Sequence, residues 1–253
     1  MPQLALPTIF TIGSTLFFLT LERVRPGRPL APVSGWYLRA LAINGVQMAI
    51  TLGLNQIWNH ALTGFSLAGL HRLHAPALEG FLAWFTGTFF FYWWHRLRHW
   101  KGFWRIFHQV HHSPARIEVV TSFYKHPVEI LSDSVLGALV LYPLLGVSLE
   151  GAFWNNFFAA TAEYFYHANF KSPRWLKYFI QTPELHSVHH QIDVHRHNFA
   201  DLPIWDRLFG TYEDADEFAP ACGFPRDNER YLADMLLFRD VYDRGAGIKS
   251  QPP

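Results

Sequence analysis

The amino-acid sequence predicts an all-α integral membrane protein, with about four spanning or hairpin helices and a cytoplasmic helical cap. Of its 253 residues, 50% are hydrophobic and 16% are charged, whereas soluble domains carry about 25% charged residues. The apolar residues form long charge-poor stretches without the alternation typical of strands. The polar residues concentrate after position 170, which favours a cap rather than a further span.

Five apolar segments account for the predicted bundle. Residues 1–21 carry no charged side chain and match the length of about 20 residues that crosses a bilayer. No basic segment precedes them and no small-residue cleavage site follows, so we expect a retained span rather than a signal peptide. The first part of 40–70 is the second predicted span, and 80–94 is the third. Residues 134–149 and 151–162 are short, and form either a hairpin that does not cross or spans that extend into the interface.

The basic residues predict an orientation for these segments. If the linker 22–29 is cytoplasmic, the third span ends on the cytoplasmic side at His95, and the hairpin returns His167 to that side. Only Arg72 among the 21 Lys and Arg residues then lies outside, as the positive-inside tendency requires. We therefore expect a multi-pass protein whose clustered histidines all face the cytoplasm.

The chain is expected to be one domain of residues 1–253. Its parts are the N-terminal spans (1–94), a histidine-rich region with the apolar hairpin (95–170), and a cytoplasmic cap and tail (171–253). The 21 basic and 20 acidic residues leave no excess charge that would attract nucleic acid. The single cysteine, Cys222, excludes an internal disulfide framework and a cysteine-rich zinc module.

Three histidine clusters predict a metal site. They are His95 and His99; His108, His111 and His112; and His186, His189 and His190. Residues three and four apart share one face of a helix, and imidazole suits iron, zinc, copper and nickel. Eight imidazoles exceed the four ligands of one zinc ion but suffice for two metal ions with open positions. A single compact site needs a helix break between the first two clusters, and we expect it at Gly102.

The remaining histidines have a simpler interpretation. His60, His71 and His74 fall on the opposite side in the predicted topology, and His195 and His197 follow the third cluster in a predicted loop. We expect these five to be ordinary core or surface residues. For the clusters themselves, the competing interpretation is a pH-sensing or solvated face.

The clusters resemble the histidine boxes of a known family. HRLRH (95–99), HQVHH (108–112) and HSVHH (186–190) are similar to those of the fatty acid hydroxylase/sterol desaturase superfamily of membrane di-iron oxygenases. The resemblance runs from about His95 to Tyr212, and the similar members of the superfamily include alkylglycerol-monooxygenase-like proteins. It includes the segments FYKHPVE (123–129), EYFYHAN (163–169), NF (198–199) and WDRLFGTY (205–212). Residues 1–80 match only as generic spans.

The resemblance implies two iron ions held by histidines, with zinc as a possible substitute. It adds His167 to the eight clustered histidines, so the expected ligands are His95, His99, His108, His111, His112, His167, His186, His189 and His190. Glu163 stands where some members carry a histidine, and either binds metal or orients a ligand. His126 is either a ligand or a structural residue. No catalytic residue beyond the metal ligands is expected.

The resemblance also implies a function. We expect an O₂-dependent oxidoreductase that hydroxylates a C–H bond of a lipid. A desaturase with the same site is the alternative within this class, and a non-catalytic membrane protein with a structural metal site is the alternative from another class. The residues do not distinguish hydroxylation from desaturation, nor do they identify the lipid.

Hydroxylation with O₂ needs two external electrons. The chain has no Gly-x-Gly-x-x-Gly element and no haem-attachment cysteine motif. A ferredoxin or a cytochrome-b-type donor with its reductase is therefore expected as a partner. The expected docking rim, for which contact with anionic lipid is an equal alternative, consists of Arg96, Arg98, Lys101, Arg105, Lys171, Arg174 and Lys177.

Two further sets of residues are expected near the site. One or more acids should fix the histidine tautomers, the candidates being Glu118, Glu129, Asp133, Glu163, Glu184, Asp193 and Asp206. Aromatic side chains are candidates for lining a lipid channel, although most should contact lipid or pack. They are Phe89, Phe90, Phe91, Tyr92, Phe157, Phe158, Tyr164 and Phe165.

Overall fold

The computed structural model describes residues 2–62, 64 and 66–244. Within this part of the chain every regular element is helical, and the only strand-like pairing is an isolated bridge between Gln191 and Cys222. The all-α prediction is therefore confirmed for the described residues.

Five long helical segments form a bundle. They are α1 (Pro2–Val24), α2 (Trp36–Ala61), α3 (Pro76–Arg98), α4 (Pro127–Leu139, continued as a π-helix over Val140–Leu145) and α5 (Leu149–His167). Helix α5 lies between α1 and α3, and α2 packs against α4. Two of these segments, Ala5–Val24 and Pro127–Leu145, are long and apolar enough to cross a membrane.

The cap consists of short helices joined by loops. They are α6 (Pro183–His189), α7 (Pro203–Phe209) and α8 (Leu232–Leu236), with 3₁₀ helices at Val119–Thr121, Arg174–Tyr178 and Pro225–Tyr231. A further 3₁₀ helix, Leu70–Leu73, lies in the connection between α2 and α3. Polar capping begins α6, where the Thr182 hydroxyl accepts from the Leu185 amide.

The five long segments run between two opposite ends of the bundle. At the first, which we call the site end, the Glu22 carboxylate at the end of α1 accepts from the backbone amides of Val119 and Asn169. At the opposite, distal end, the amide of His71 donates to the carbonyl of Gly146 in the α4–α5 turn. The C-terminal ends of α1, α3 and α5 and the N-terminal ends of α2 and α4 therefore meet at the site end. All the clustered histidines lie there.

The hairpin helices are longer than their apolar sequences indicate. Helix α4 with its π-helical continuation covers 127–145, and α5 covers 149–167, which is about 28 Å each at the usual rise per residue. Polar residues at 127–133 and 163–167 continue the helices towards the site end, and the Ser148 hydroxyl caps α5 at the Gly151 amide. Both helices therefore continue beyond the apolar residues 134–149 and 151–162 and run the length of the bundle, which favours the second of the two expected alternatives over short pieces.

The break between the first two clusters lies two residues before its predicted position. Helix α3 ends at Arg98, and Trp100 adopts an extended conformation with φ −69 and ψ 139. The chain then turns into helix again at Lys101–Phe103, continues as a π-helix at Trp104–His108, and ends with Gln109–His112. Gly102 lies inside the first of these short helices, so the reversal does not use its conformational freedom.

Close packing of α3 on α5 depends on Gly80. A Cβ atom at this position would lie 2.6 Å from the Asn155 amide nitrogen and 2.7 Å from the Gly151 carbonyl oxygen. Both are backbone atoms, so the two helices would have to separate. We expect Gly80→Ala to destabilise the protein by about 1–3 kcal/mol, as overpacking usually does.

A matched control for this change lies on the same helix. A Cβ atom at Gly87 would meet nothing within 4 Å, so Gly87→Ala should leave stability unchanged or slightly increased. The measurement is thermal unfolding of both variants in detergent. Equal unfolding temperatures for the two variants would contradict this account of the α3–α5 contact.

Candidate metal centre

Four buried histidines converge at the centre of the site end. The Nε2 atom of His167 lies 3.0 Å from Nε2 of His186 and 3.4 Å from Nε2 of His111. Nε2 of His190 lies 3.1 Å from Nε2 of His186. Because one ring nitrogen of each residue lies within 4.8 Å of all the others, these four residues form one group, which we call the four-histidine group.

Five further histidines form an adjacent group. Nε2 of His95 lies 2.8 Å from Nε2 of His108 and 3.0 Å from Nε2 of His189. One ring nitrogen each of His99 and His112 completes the set, and all five nitrogens lie within 4.8 Å of one another. We call this set the five-histidine group.

The two groups share a wall of imidazole rings. His112 of the five-histidine group stacks on His190 of the four-histidine group, with ring centroids 4.1 Å apart. His108 and His111 lie side by side with ring centroids 5.2 Å apart. Both groups together contain all nine histidines predicted as ligands and no other histidine of the described chain.

The outward-facing nitrogens explain why the Nε2 atoms point inwards. The Nδ1–H groups of His95, His189 and His167 donate to the backbone carbonyls of Phe199, His197 and Glu163, at 2.6, 2.7 and 2.9 Å. An imidazole that donates through Nδ1 carries its free electron pair on Nε2, where a metal ion can bind it. These carbonyls therefore fix both the tautomer and the orientation of three of the nine rings.

A carboxylate fixes the tautomer and the orientation of a fourth ring. The Nδ1–H group of His108 donates to Glu129 Oε1 at 2.8 Å, and the same carboxylate is held by the buried guanidinium of Arg98. Among the seven acids considered from the sequence, Glu129 makes the direct side-chain hydrogen bond to a clustered histidine. Arg98 therefore points into the protein, and its assignment to an exposed docking rim was wrong.

The donor set fits metal ions. Inside the groups, the Nε2 atoms of His99 and His112 are buried without a hydrogen-bond partner, which is costly for a polar atom that nothing binds. Metal ions bind imidazole nitrogen at about 2.0–2.1 Å, so ligands of one ion lie within roughly 4.2 Å of each other. The nitrogens of each group meet that requirement with small adjustments.

Burial keeps these imidazoles neutral. Burial, followed by the charge of neighbouring imidazoles, lowers the pKa of His111 and His190 well below the ordinary value. Burial lowers the pKa of His189 to about 3, opposed by its hydrogen bond to the His197 carbonyl. Neutral imidazole is the form that binds metal, so the rings are prepared for it at physiological pH.

The two ambiguous residues lie outside both groups. Both ring nitrogens of His126 are occupied, since Nδ1 accepts from the Val128 amide at 3.1 Å and Nε2 donates to the Leu236 carbonyl at 3.3 Å. His126 thus caps α4 in this structure. Glu163 lies on the Nδ1 side of His167, with its carboxylate 3.4 Å from the ammonium of Lys125.

His195 is a site residue that the sequence interpretation missed. Its Nδ1 lies 3.1 Å from Nδ1 of His112, and its ring is buried against Trp104 and Tyr242. Burial lowers the pKa of His195 to about 4, so it contacts His112 as a neutral ring. Its position two residues before His197 in an irregular loop gave no periodic signal.

The loop that follows the third cluster is held by polar side chains. The Asp206 carboxylate accepts from the backbone amides of Phe199 and Ala200 at 2.8 and 2.9 Å. The amide group of Asn198 donates to the carbonyls of Leu185 and Glu213 at 3.1 and 3.0 Å. These bonds position the Phe199 carbonyl against His95. The segments 198–199 and 205–212 of the family resemblance therefore hold the loop that orients this histidine.

A cavity of about 890 Å³ extends from the histidines into the bundle. Its wall at the site end includes His95, His108, His111, His167 and His186. All five long segments contribute to the remaining wall. Of the eight aromatic residues considered for a channel, Phe91 and Tyr164 line the cavity.

The comparison with known families agrees with the sequence resemblance. The family model described as Fatty acid hydroxylase matches residues 80–211, about half of the chain. The chain belongs to the fatty acid hydroxylase family. The matched segment contains all nine histidines of the two groups.

Curated relatives carry names from lipid chemistry. The ornithine lipid hydroxylase OlsE of Rhizobium tropici is 30% identical over 68% of this chain and 54% of its own length. Protein CER1-like 1 of Arabidopsis thaliana is 29% identical over 76% of this chain and 33% of its own. The very-long-chain aldehyde decarbonylase GL1-4 of Oryza sativa subsp. indica is 30% identical over 64% and 28%, respectively. The chain thus spans about half or less of the length of these relatives. No solved structure matches.

Removal of one ligand from either group should reduce metal content. We expect His111→Ala and His189→Ala each to lower the metal content per chain below that of the unmodified protein, because each change takes an inward nitrogen from one group. The measurement is elemental analysis of purified protein. His60→Ala is the control, since His60 is exposed at the distal end of α2. Unchanged metal content in either site variant would remove that residue from the ligand set.

The metal-free protein should become less stable as the pH is lowered. Below about pH 6.5 the unfolded chain takes up protons on histidines that remain neutral when buried. Since burial lowers the pKa of His189 to about 3, the loss of stability begins near the unfolded value and continues towards that pH. Bound metal should dissociate over the same range. Thermal unfolding followed from neutral pH downwards, with and without metal, measures both effects. A flat profile for the metal-free protein would contradict the neutral state of these rings.

Proposed function

We propose that this chain is a membrane di-iron oxygenase that uses O₂ and external electrons to hydroxylate a C–H bond of a lipid. One observation carries the proposal: two adjacent groups of neutral imidazoles form the end wall of a lipid-sized cavity in a helical bundle. Family membership supports the reaction class, and the relatives' names support a lipid substrate.

The nine histidines would hold the two iron ions through their inward Nε2 atoms. Bound iron supplies, together with O₂, an oxidant strong enough for an unactivated C–H bond, which side chains alone do not provide. The chain's own contribution is to keep the imidazoles neutral, to fix their tautomers through Phe199, His197, Glu163 and Glu129, and to exclude bulk water. Zinc is the expected substitute for iron, because all-imidazole sites accept it.

A multi-pass placement with the site end in the cytoplasm fits this function. Large apolar side chains are exposed on the outer faces of α1 and α2, among them Ile9, Leu16, Leu38 and Leu41, as expected for contact with lipid. Arg72 is the one Lys or Arg in the described connections at the distal end, in keeping with the positive-inside tendency. Helices α1 and α2 both line the cavity but make little contact with each other, so we infer that lipid enters between them.

Electrons would come from a second protein. The chain carries no nucleotide or haem motif, so a ferredoxin or a cytochrome-b-type donor with its reductase is the expected partner. The docking rim is smaller than the sequence suggested. Lys177 is buried in ion pairs with Asp214 and Asp216, and Lys171 pairs with Glu217. Arg174 lies 3.8 Å from Asp216. Of the seven residues of the predicted rim, three therefore have no acidic partner among the described residues, namely Arg96, Lys101 and Arg105.

The alternatives differ in their products. A desaturase would use the same histidines to form a double bond, and the decarbonylase relatives raise loss of a terminal carbon as a further outcome. A structural metal site, by contrast, does not require a large cavity against the ligands. Product analysis therefore separates the reactions, and turnover itself separates an enzyme from a scaffold.

The test is oxygen incorporation by the purified, iron-loaded protein in vesicles of total lipid extract. With ferredoxin, its reductase, NADPH and ¹⁸O₂, we expect a lipid carrying one ¹⁸O atom, and at most a single turnover when the donor proteins are omitted. His189→Ala should abolish the product, whereas His60→Ala should not. An unsaturated or shortened product without ¹⁸O would contradict hydroxylation, and sustained turnover with NADPH alone would contradict the need for a partner.

A further inference from the structure

The distal half of the cavity is lined by polar side chains that have no partner. On α2, Gln47, Thr51 and Asn55 are spaced three to four residues apart and line one wall, as residues on a single helix face do. On α5, the neighbouring Asn155 and Asn156 line another wall. None of these five side chains forms a hydrogen bond with any described residue, and Gln47 Oε1 is buried with no partner.

Such groups are expensive at this depth. Where no water reaches a polar group, leaving its hydrogen bonds unmade is unfavourable. Polar residues on membrane helices often bind neighbouring helices, and this chain has examples, such as Trp58 to Ser134 and Thr161 to Ser14. The five cavity residues do not act in this way, and the space that they line is the cavity itself.

The position and charge of this region limit what it binds. Asn155 and Asn156 precede His167 by 12 and 11 residues on α5, which places them about 16–18 Å from the histidine level. All five charged residues of the cavity wall belong to the site-end side, namely Arg98, Lys125, Asp133, Glu163 and Asp201. The distal half thus offers amides and a hydroxyl, which pair with an uncharged group better than with a carboxylate or a phosphate.

We propose that Gln47, Thr51, Asn55, Asn155 and Asn156 form a subsite for an uncharged hydrogen-bonding group within the lipid chain, on the distal side of the metal centre. A mid-chain hydroxyl, ester or amide is the class of group that it takes. This inference rests on the proposed function, because it concerns the substrate of the same cavity. It states that the substrate is a lipid with a second polar group rather than a plain hydrocarbon chain.

The experiment compares two lipids that differ in one hydroxyl. Methyl oleate and methyl ricinoleate have the same chain and ester, and ricinoleate adds a mid-chain hydroxyl. Their affinities for the detergent-purified, metal-loaded protein are measured by competition with radiolabelled methyl oleate, without electron donor. We expect ricinoleate to bind about tenfold more tightly, the effect of one or two neutral hydrogen bonds.

A variant assigns the preference to the subsite. The triple change Gln47→Met, Asn55→Leu and Asn155→Leu keeps side-chain volume but removes three of the four amides, so the ratio of the two affinities should fall towards one. The control is Met48→Leu with Leu52→Met, two apolar lining residues on α2, which should keep the preference. If the triple variant cannot be purified, Asn155→Leu alone should reduce the preference severalfold.

Two results would overturn the proposal. Equal affinities for the two esters in the unmodified protein would mean that the amides are satisfied by water alone. A preference that persists in the triple variant would place the hydroxyl elsewhere. Since binding is measured without turnover, a protein that prefers ricinoleate but incorporates no ¹⁸O would support the subsite and contradict the oxygenase function.

Discussion

The structure depends on holding nine uncharged imidazoles in a small buried volume with their Nε2 atoms facing one another. Without a bound ion, these nitrogens have few partners, and a buried polar atom left unsatisfied costs about 1–3 kcal/mol. The surrounding chain compensates on the outer side of the rings. Backbone carbonyls at Phe199, His197 and Glu163 and the Glu129 carboxylate fix the tautomers, so that the inner side is left to metal.

This requirement explains much of the architecture. Helices α3 and α5 deliver His95 and His167 to the same end of the bundle, because both run towards it. The turn at Trp100 brings the second cluster back over the first. The cap supplies the third cluster on α6, and Asp206 and Asn198 hold the loop whose carbonyls orient the rings. Without the cap, the helical bundle would lack the third cluster, and both histidine groups would be incomplete.

The cavity extends from this centre into the helical bundle. Its site-end wall is formed by the histidines and by paired charges such as Lys125 with Glu163. Its distal wall carries uncharged amides instead. Under the proposed function, a lipid in this space would meet the two histidine groups at one end and hydrogen-bonding side chains along its length. The proposed subsite would make the cavity select a substrate by the spacing of its polar groups as well as by its hydrophobicity.

The sequence predicted the features that depend on local spacing. The helical class and the clustering of the nine histidines follow from charge-poor stretches, from the three- and four-residue spacing of the clusters, and, for His167, from the family resemblance. The hydropathy pattern predicted α4 and α5 to be shorter than they are, because polar residues near Asp133 and Glu163 lie at the cavity instead of in solvent. We expected the turn at Gly102, because glycine is the usual helix breaker. In the structure, the extended residue Trp100 makes the turn.

Contacts between distant residues could not be predicted in this way. His195 is buried by Trp104 and Tyr242, which lie far from it in the sequence. The partner of Arg98 is Glu129, 31 positions away, so its burial was not visible in the basic pattern around it. Most of the acceptors that orient the histidines are backbone carbonyls, and their positions follow from the folded loop rather than from residue type.

The most direct test of this account is to locate the metal ions. A crystal structure of the iron-loaded protein, with anomalous scattering measured at the iron absorption edge, should show two peaks, one within each histidine group, each surrounded by inward Nε2 atoms. A single peak shared by all nine histidines, or peaks outside the two groups, would contradict the proposed two-metal centre.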